Sequence, residues 1–382
     1  MTPFHFEPCS LPAQTEELRQ EVRSFLKESS KQWTPAARAQ SWDGFDQEFS
    51  RQMAARGWIG MTWPKRYGGG ERSALERYVV LEEMLFAGAP VSFHWIADRQ
   101  SGPLLLRFGT EQQRRDILPG IARGELCFCI GMSEPDAGSD VANIRTRARE
   151  ADGGWRITGT KLWTTNAHHA HYMIGLFRSA GEPKDRHAGL SQFLVDLSLP
   201  GISIRPIRDL TGEEHFNEVV FDDALLPAEA LIGRPGEGWR QLMAELAFER
   251  SGPERFLSSI QALVELIRGL GADASDEAAA LVGRLTAQLV TLRRMSLSVA
   301  GMLEADREPA LEAAVVKDLG GTFEQGLPEA VQSFLGLELA PDGGSDMQQV
   351  MSHLIRVAPA YSLRGGTREI LRGIIARGLG LR

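Results

Sequence analysis

The residues able to do chemistry gather at a few places in this sequence. Near the C-terminus, "SLRGGTREILR" sets Gly365, Gly366 and Thr367 directly ahead of a helical run. Glycines followed by a capping Thr make a turn whose backbone can approach a cofactor closely. Such a turn brings no titratable side chain, so proton transfer beside it needs a group from elsewhere. "LAFERSG" offers Glu249 next to Arg250, although most helix glutamates are solvated surface carboxylates. The histidines of "NAHHAH" (His168, His169 and His171) lack a carboxylate or cysteine at ligand spacing. Strand alternation would turn His168 away from His169, so a solvated loop is expected and no metal. Cys127 and Cys129 form a C-x-C pair in an apolar run without a second pair, which predicts buried thiols.

The elements that must position these residues follow from patterning. The chain has 382 residues, of which 43% are hydrophobic, enough for two or three domains with sizeable cores. Its net charge of -8 argues against a nucleic-acid partner. Three cysteines are too few for a disulfide framework. The N-terminus lacks the basic and apolar regions of a signal peptide. No apolar run reaches the roughly 18 residues of a membrane span, so the reducing cytoplasm is the expected compartment.

From Thr15 to about Gly124 the texture is helical. "TEELRQEVRSFLKES" reads as a helix opened by a Thr cap, with Leu18, Val22, Phe25 and Leu26 on one face. "SALERYVVLEEMLFAG" repeats the spacing and stops at Gly88. From Leu126 onward, "CFCIGM", "WRITGTKLWTT", "HYMIGLFRS", "LSQFLVDL", "ISIRPI" and "NEVVFDD" are short, β-rich and separated by turns. After Gly238 the pattern is helical to the end. The expected class is α+β: an N-terminal helical domain (1–125), a middle antiparallel β-barrel-like domain (126–235) and a C-terminal helical bundle (236–382).

Several stretches together resemble the acyl-CoA dehydrogenase family. "GMSEPDAGSD" is similar to its [TS]-E-P-x-A-G-S-D signature, and "KLWTTNA" to its K-x-W-[IT]-[TS]-N segment. "VVFDDALLPAEALIG" followed by "GEGW", and "GTREILRGIIAR", resemble its later motifs, in order and at its spacing. The resemblance spans roughly residues 15 to 378 and implies FAD, an acyl-CoA thioester and α,β-desaturation.

In that chemistry a base removes the α proton and the flavin accepts a hydride from the β carbon. The thioester oxygen needs hydrogen bonds as charge develops on it. By resemblance Trp163 covers the flavin, Thr165 donates toward it, Met132 and Ser133 line its pyrimidine side, and Thr367 contacts it. Ser139, Arg250 and Gly365 are the expected substrate contacts. Many family members carry the base where this chain has Gly365. A subset places it on the first helix of the C-terminal domain, directly before an Arg, and Glu249 occupies that position. A Glu in a water-poor, flavin-walled pocket would have its charged form disfavoured, which brings it into the working range of a base.

Two family motifs are damaged. "LGADASDEAAAL" stands where R-x-x-F-G is usual, and "VQSFLGLEL" keeps Gln332 and Gly336 but loses other glycines. In the family both segments hold a neighbour's FAD. The resemblance implies as partners an acyl-CoA, an electron-transfer flavoprotein and other chains in a homo- or hetero-oligomer. The heteromeric arrangement resembles the actinobacterial steroid-degrading type. A non-catalytic half-site subunit and a same-fold flavin oxidase are the alternatives.

Overall fold

The computed structural model describes residues 5–181, 186–249, 252–271, 274–305, 307–340 and 343–381, with the backbone alone at 245–249. In chain order the helices are α1 (Gln14–Ser29), α2 (Pro35–Gln40), α3 (Gln47–Ala54), α4 (Ala74–Ala87), α5 (Ser92–Ile96), α6 (Gly102–Phe108) and α7 (Glu111–Ala122). The strands follow: β1 (Phe128–Gly131), β2 (Arg147–Ala151), β3 (Gly154–Lys161), β4 (Tyr172–Arg178), β5 (Leu190–Asp196), β6 (Ile202–Ile207) and β7 (Phe216–Pro227). Then come α8 (Gly238–Glu249), α9 (Ile260–Leu270), α10 (Asp276–Glu304), α11 (Ala310–Leu335), α12 (Asp346–Val357) and α13 (Arg368–Gly378). The α+β class, with helices on both sides of a β-rich middle in sequence, is what the texture predicts. Among the described residues no helix is long and apolar enough to cross a membrane.

The chain sorts into two compact units. The first comprises Met1–Phe45, Arg72–Ser92 and Glu249–Arg382. The expected apolar face of α1 is buried through Leu18, Val22, Phe25 and Leu26. The helix does not open on Thr15, however. It starts one residue earlier, and the Thr15 hydroxyl donates to the Pro12 carbonyl at 2.7 Å. Cap preference loses here because Ala13 is already helical, so Thr15 falls inside the first turn. α4 opens with a Ser73–Glu76 capping box and ends where Gly88 takes φ 72°. Charge stitches three helices together. Arg19 of α1 reaches Glu82 at 3.1 Å and also Glu83 on α4, Arg23 binds Glu83 through two nitrogens, and Arg293 of α10 grips Glu82 at 2.5 and 2.9 Å.

The second unit comprises Asp46–Glu71 and Phe93–Phe248. Its strands form one sheet in the order β1-β4-β2-β3-β7-β6, with β5 on β4. The long pairings β2–β3, β3–β7, β6–β7 and β4–β5 are antiparallel, whereas β1 runs parallel to β4. Alternation along β3 turns Trp155 and Ile157 inward to meet Phe177, Phe193, Phe221 and Leu226. A register shift between Ile157 and Gly159 bends this strand. Gly159 takes φ 143° there, and a Cβ would press on Thr146 at 2.6–2.8 Å. Arg178, only 2% exposed at the end of β4, donates to the carbonyls of Ala142, Ile144 and Ala188 and fixes the loop before β2.

The aromatic loop before α4 is anchored in the same unit. The Gly60 N–H donates to Asp98 at 2.7 Å, and the indole of Trp63 packs against Gly102. Asp98 stands on a single π-helical stretch (Ala97–Ser101) between α5 and α6. A Cβ at Gly102 would lie 2.1 Å from the Trp63 ring. Gly102→Ala is therefore expected to destabilise the protein by about 1–3 kcal/mol through overpacking. Urea unfolding measures it, as a lower midpoint at unchanged slope.

Candidate active site

Two segments expected at the flavin meet in the second unit. The chain leaving β1 carries Met132 and Ser133, and the chain leaving β3 carries Trp163 and Thr165. The Leu162 N–H donates to the Ser133 carbonyl at 2.9 Å, which splices the two. Below the splice, the Lys161 ammonium donates to the Met132 carbonyl at 3.2 Å and to Glu134 at 2.8 Å. Glu134 also accepts from the Arg145 and Thr146 N–H groups at 2.6 and 3.0 Å. The Lys161 side chain is wholly buried and that of Glu134 nearly so, 0% and 7% exposed. Burial pushes the Lys161 ammonium down to about 8, against the upward pull of Glu134. Burial pushes the Glu134 carboxyl up, but the Lys161 charge and the hydrogen bonds outweigh it and hold it below the usual carboxylate range.

On this base Trp163 adopts φ 59°, an outlier for a bulky side chain, and its indole is 55% exposed. Its neighbours are held on both sides. Thr164 N–H donates to Asn217 O at 3.0 Å, Asn217 returns an amide bond to Thr164 O at 3.0 Å, and Asn166 N–H donates to His215 O at 2.7 Å. Phe216 meets the indole edge-on at 5.9 Å. Strain of this kind persists where the surroundings over-determine it, and it often marks a ligand clamp. A flat exposed indole beside Ser133 and Thr165 fits a planar heteroaromatic ring. The Thr164 hydroxyl is buried without a hydrogen-bond partner among the described residues.

The other expected residues stand on other segments. Ser139 is exposed on the turn after Glu134, where Glu134 and Ala137 exchange backbone bonds. Gly365 and Thr367 belong to the first unit. Gly365 and Gly366 have φ 69° and 103°, a left-handed path that only glycine follows cheaply. Thr367 caps α13, accepting from Ile370 N–H at 3.4 Å. Lys317 of α11 donates to the Gly366 carbonyl at 3.1 Å. Glu249 is the last residue of α8, its side chain outside what is described, and Arg250 lies outside the described residues.

The histidines depart from expectation. A 3-10 turn at Ala167–His169, not an alternating strand, brings the His168 and His169 rings to 3.9 Å. The strand β3 has ended at Lys161, and the left-handed Asn166 leads directly into this turn. His168 Nδ1 shares a hydrogen bond with Asn217 at 2.9 Å, and burial with the nearby His168 and His215 lowers the His169 pKa. Cys127 and Cys129 are buried as expected. Burial pushes the first thiol up to about 12 and the second well above its ordinary range.

Sequence reasoning missed a shallow groove in the second unit, lined by Arg99, Gln100, Leu104, Arg107, Phe108 and Ala244 among others. Its signal was present but faint: the π-helical stretch turns Arg99 and Gln100 toward one side, and no spacing rule announces that. Of the family contacts expected at a neighbour's FAD, Gln332 closes its own helix end. It donates to the Leu337 carbonyl at 3.2 Å, beside Gly336 at φ 56°.

The chain matches the N-terminal, middle and C-terminal acyl-CoA dehydrogenase domain models over residues 12–125, 129–224 and 236–380. It is 37% identical to the acyl-CoA dehydrogenase IpdE1 of Mycobacterium tuberculosis, over 96% of this chain and 97% of that protein. The chain belongs to the acyl-CoA dehydrogenase family. It is an FAD-dependent enzyme that dehydrogenates an acyl-CoA. Among solved structures it is similar to the Tcur3481-Tcur3483 steroid ACAD, with a TM-score of 0.85 and 27% identity over 97% of this chain and 98% of that one. It is equally similar to a chain of the ChsE4-ChsE5 complex from Mycobacterium tuberculosis, with a TM-score of 0.85 and 27% identity over 98% and 99%.

The buried pair lies beneath the two segments that carry Ser133 and Trp163. Glu134→Gln is expected to destabilise the protein by about 3–5 kcal/mol, because it leaves the Lys161 charge buried without its counter-ion. Chemical denaturation measures the loss. A change below about 1 kcal/mol would mean that Lys161 stays neutral in the wild type.

Proposed function

We propose that this acyl-CoA dehydrogenase uses Glu249 as the base that takes the α proton of the thioester. The observation that carries the reading is Gly365. At the turn where many relatives place a carboxylate, this chain has a left-handed glycine, and Glu249 ends α8 directly before an arginine. Gly365 and Gly366, without Cβ atoms, leave the turn open to a bulky acyl group. Arg250 and Ser139 complete the substrate contacts, the latter along the CoA moiety. FAD, when bound, supplies the hydride acceptor. Met132, Ser133, Trp163 and Thr165 would hold it, the exposed Trp163 indole offering a face to the ring, and Thr367 is the contact assigned to the C-terminal turn. The functional parts are 1–125, 126–235 and 236–382. Electrons pass on to an electron-transfer flavoprotein, and the chain works in the cytoplasm.

We further infer that the enzyme is half of a heteromer. The stretch 270–281 has no Arg and no Phe where relatives use them on a neighbour's FAD, and Gln332 is occupied at its own helix end. Two structures similar to this chain are described by name as two-component assemblies. Loss of one charge-assisted bond to pyrophosphate removes roughly 1.5–3 kcal/mol, or about one to two decades in affinity.

Two measurements test these readings. Glu249→Gln is expected to retain FAD and fold while anaerobic bleaching of the flavin by a good acyl-CoA slows by about 10²–10⁴-fold. Bleaching at the wild-type rate would remove Glu249 from the mechanism. Expressed alone, the chain is expected to carry well under one FAD per protomer. Co-expression with a related chain that has an intact R-x-x-F-G segment should restore the content. One FAD per chain in a homo-oligomer would overturn the shared site.

A further inference from the structure

The residue just before the glycine turn has a side chain that turns back into the first unit. Arg364 Nη2 donates to Ser258 Oγ at 2.6 Å, to Glu324 at 3.0 Å and to the Glu254 carbonyl at 3.3 Å. Its guanidinium lies 4.0 Å from the Trp42 ring centre and 4.6 Å from that of Tyr361. The second oxygen of Glu324 accepts the Ser258 N–H at 2.8 Å. One guanidinium thus ties three pieces of chain: the turn at 365–367, helix α11, and the segment 254–258 that follows α8 within a few residues.

The same helix holds the other side of the turn. Lys317 and Glu324 are seven residues apart on α11, two turns, and so share one face. Lys317 grips the Gly366 carbonyl and Glu324 grips Arg364, with Gly365 between them. Both side chains are buried, at 2% and 1% exposure. Stability alone explains this poorly. A buried ion pair is often no better than an apolar replacement. Arg364 also leaves Nε and Nη1 buried without a hydrogen-bond partner among the described residues. What the arrangement does supply is geometry, because a guanidinium with one nitrogen among three acceptors and its carbon beside two rings has little freedom.

We propose that Arg364 is a positioning residue: together with Glu324 and Ser258 it locks the Gly365–Gly366 turn to the segment leading away from Glu249. This rests on the assignment of Gly365 and Glu249 to the site. The lock fixes the turn's backbone relative to the stretch of chain that brings in the base. Near-attack chemistry is sensitive to such placement, since a shift of about 1 Å can cost on the order of 100-fold in rate. Lysine at 364 keeps the charge but lacks the planar head that packs against the Trp42 and Tyr361 rings.

The test uses the FAD-loaded protein, with its partner chain if FAD retention requires one, and the variants Arg364→Lys, Glu324→Gln and their double. The first readout is hydrogen exchange in peptides covering 252–262 and 358–372. Each single variant is expected to speed exchange at least tenfold in both peptides, and the double no further than the singles. The second readout is anaerobic flavin bleaching by a saturating acyl-CoA. It should slow at least tenfold, with the half-saturating concentration changed less than threefold. Exchange rising in 358–372 alone, or bleaching at the wild-type rate despite a lowered melting temperature, would overturn the lock. Failure of the base assignment looks different: Glu249→Gln then bleaches like wild type, while the exchange arm still decides whether Arg364 joins the two segments.

Discussion

The second unit depends on a charge that has no water around it. A lysine at the end of one strand and a glutamate after another meet in the interior, and each would be costly without the other. Their pairing decides where two otherwise separate strand ends go. Lys161 points down to Glu134 and the Met132 carbonyl, so the chain beyond it must emerge alongside Ser133. The exposed indole, the left-handed backbone and the polar rim follow from that constraint. Gly131 belongs to the same arrangement. A Cβ there would lie 2.4 Å from the Met173 sulfur and 3.3 Å from Lys161 Cγ, so the lysine needs that glycine.

The first unit solves a related problem with more charges. Arg19, Arg23, Glu82, Glu83 and Arg293 join α1, α4 and α10, and the Arg364–Glu324 pair joins the C-terminal turn to α11. In each unit polar groups set the geometry of the candidate functional residues while apolar clusters supply the area. That division fits the energetics: buried apolar surface gives most of the driving force, and directional bonds select one arrangement of it.

Much of this was legible in the sequence because it is local. The apolar face of α1 and the stop at Gly88 follow from spacing within one helix. The segments carrying Ser133 and Trp163 were singled out together through family resemblance, which carries long-range information that periodicity lacks, and the structure brings them side by side. What escaped was set by distant partners. Trp163 reads as a strand residue, yet bonds from Ser133 and Asn217 to its neighbours hold it left-handed. His168 and His169 read as opposed, and the turn that follows the left-handed Asn166 brings them together. Arg364 carries no local signal in the sequence. Only the positions of Trp42, Ser258 and Glu324 turn it inward.

The open indole also gives the protein an optical signature. The sequence holds eight tryptophans, and among the described residues Trp163 is the one classed as exposed. Trp58, Trp63, Trp95 and Trp155 are buried. Water relaxes around an excited indole and shifts its emission to the red, whereas buried indoles emit further to the blue. The red edge of the protein's fluorescence is therefore weighted toward the very surface proposed to carry the flavin. A ring stacked there would drain that emission selectively, so the colour balance of the remaining fluorescence reports occupancy without any added label.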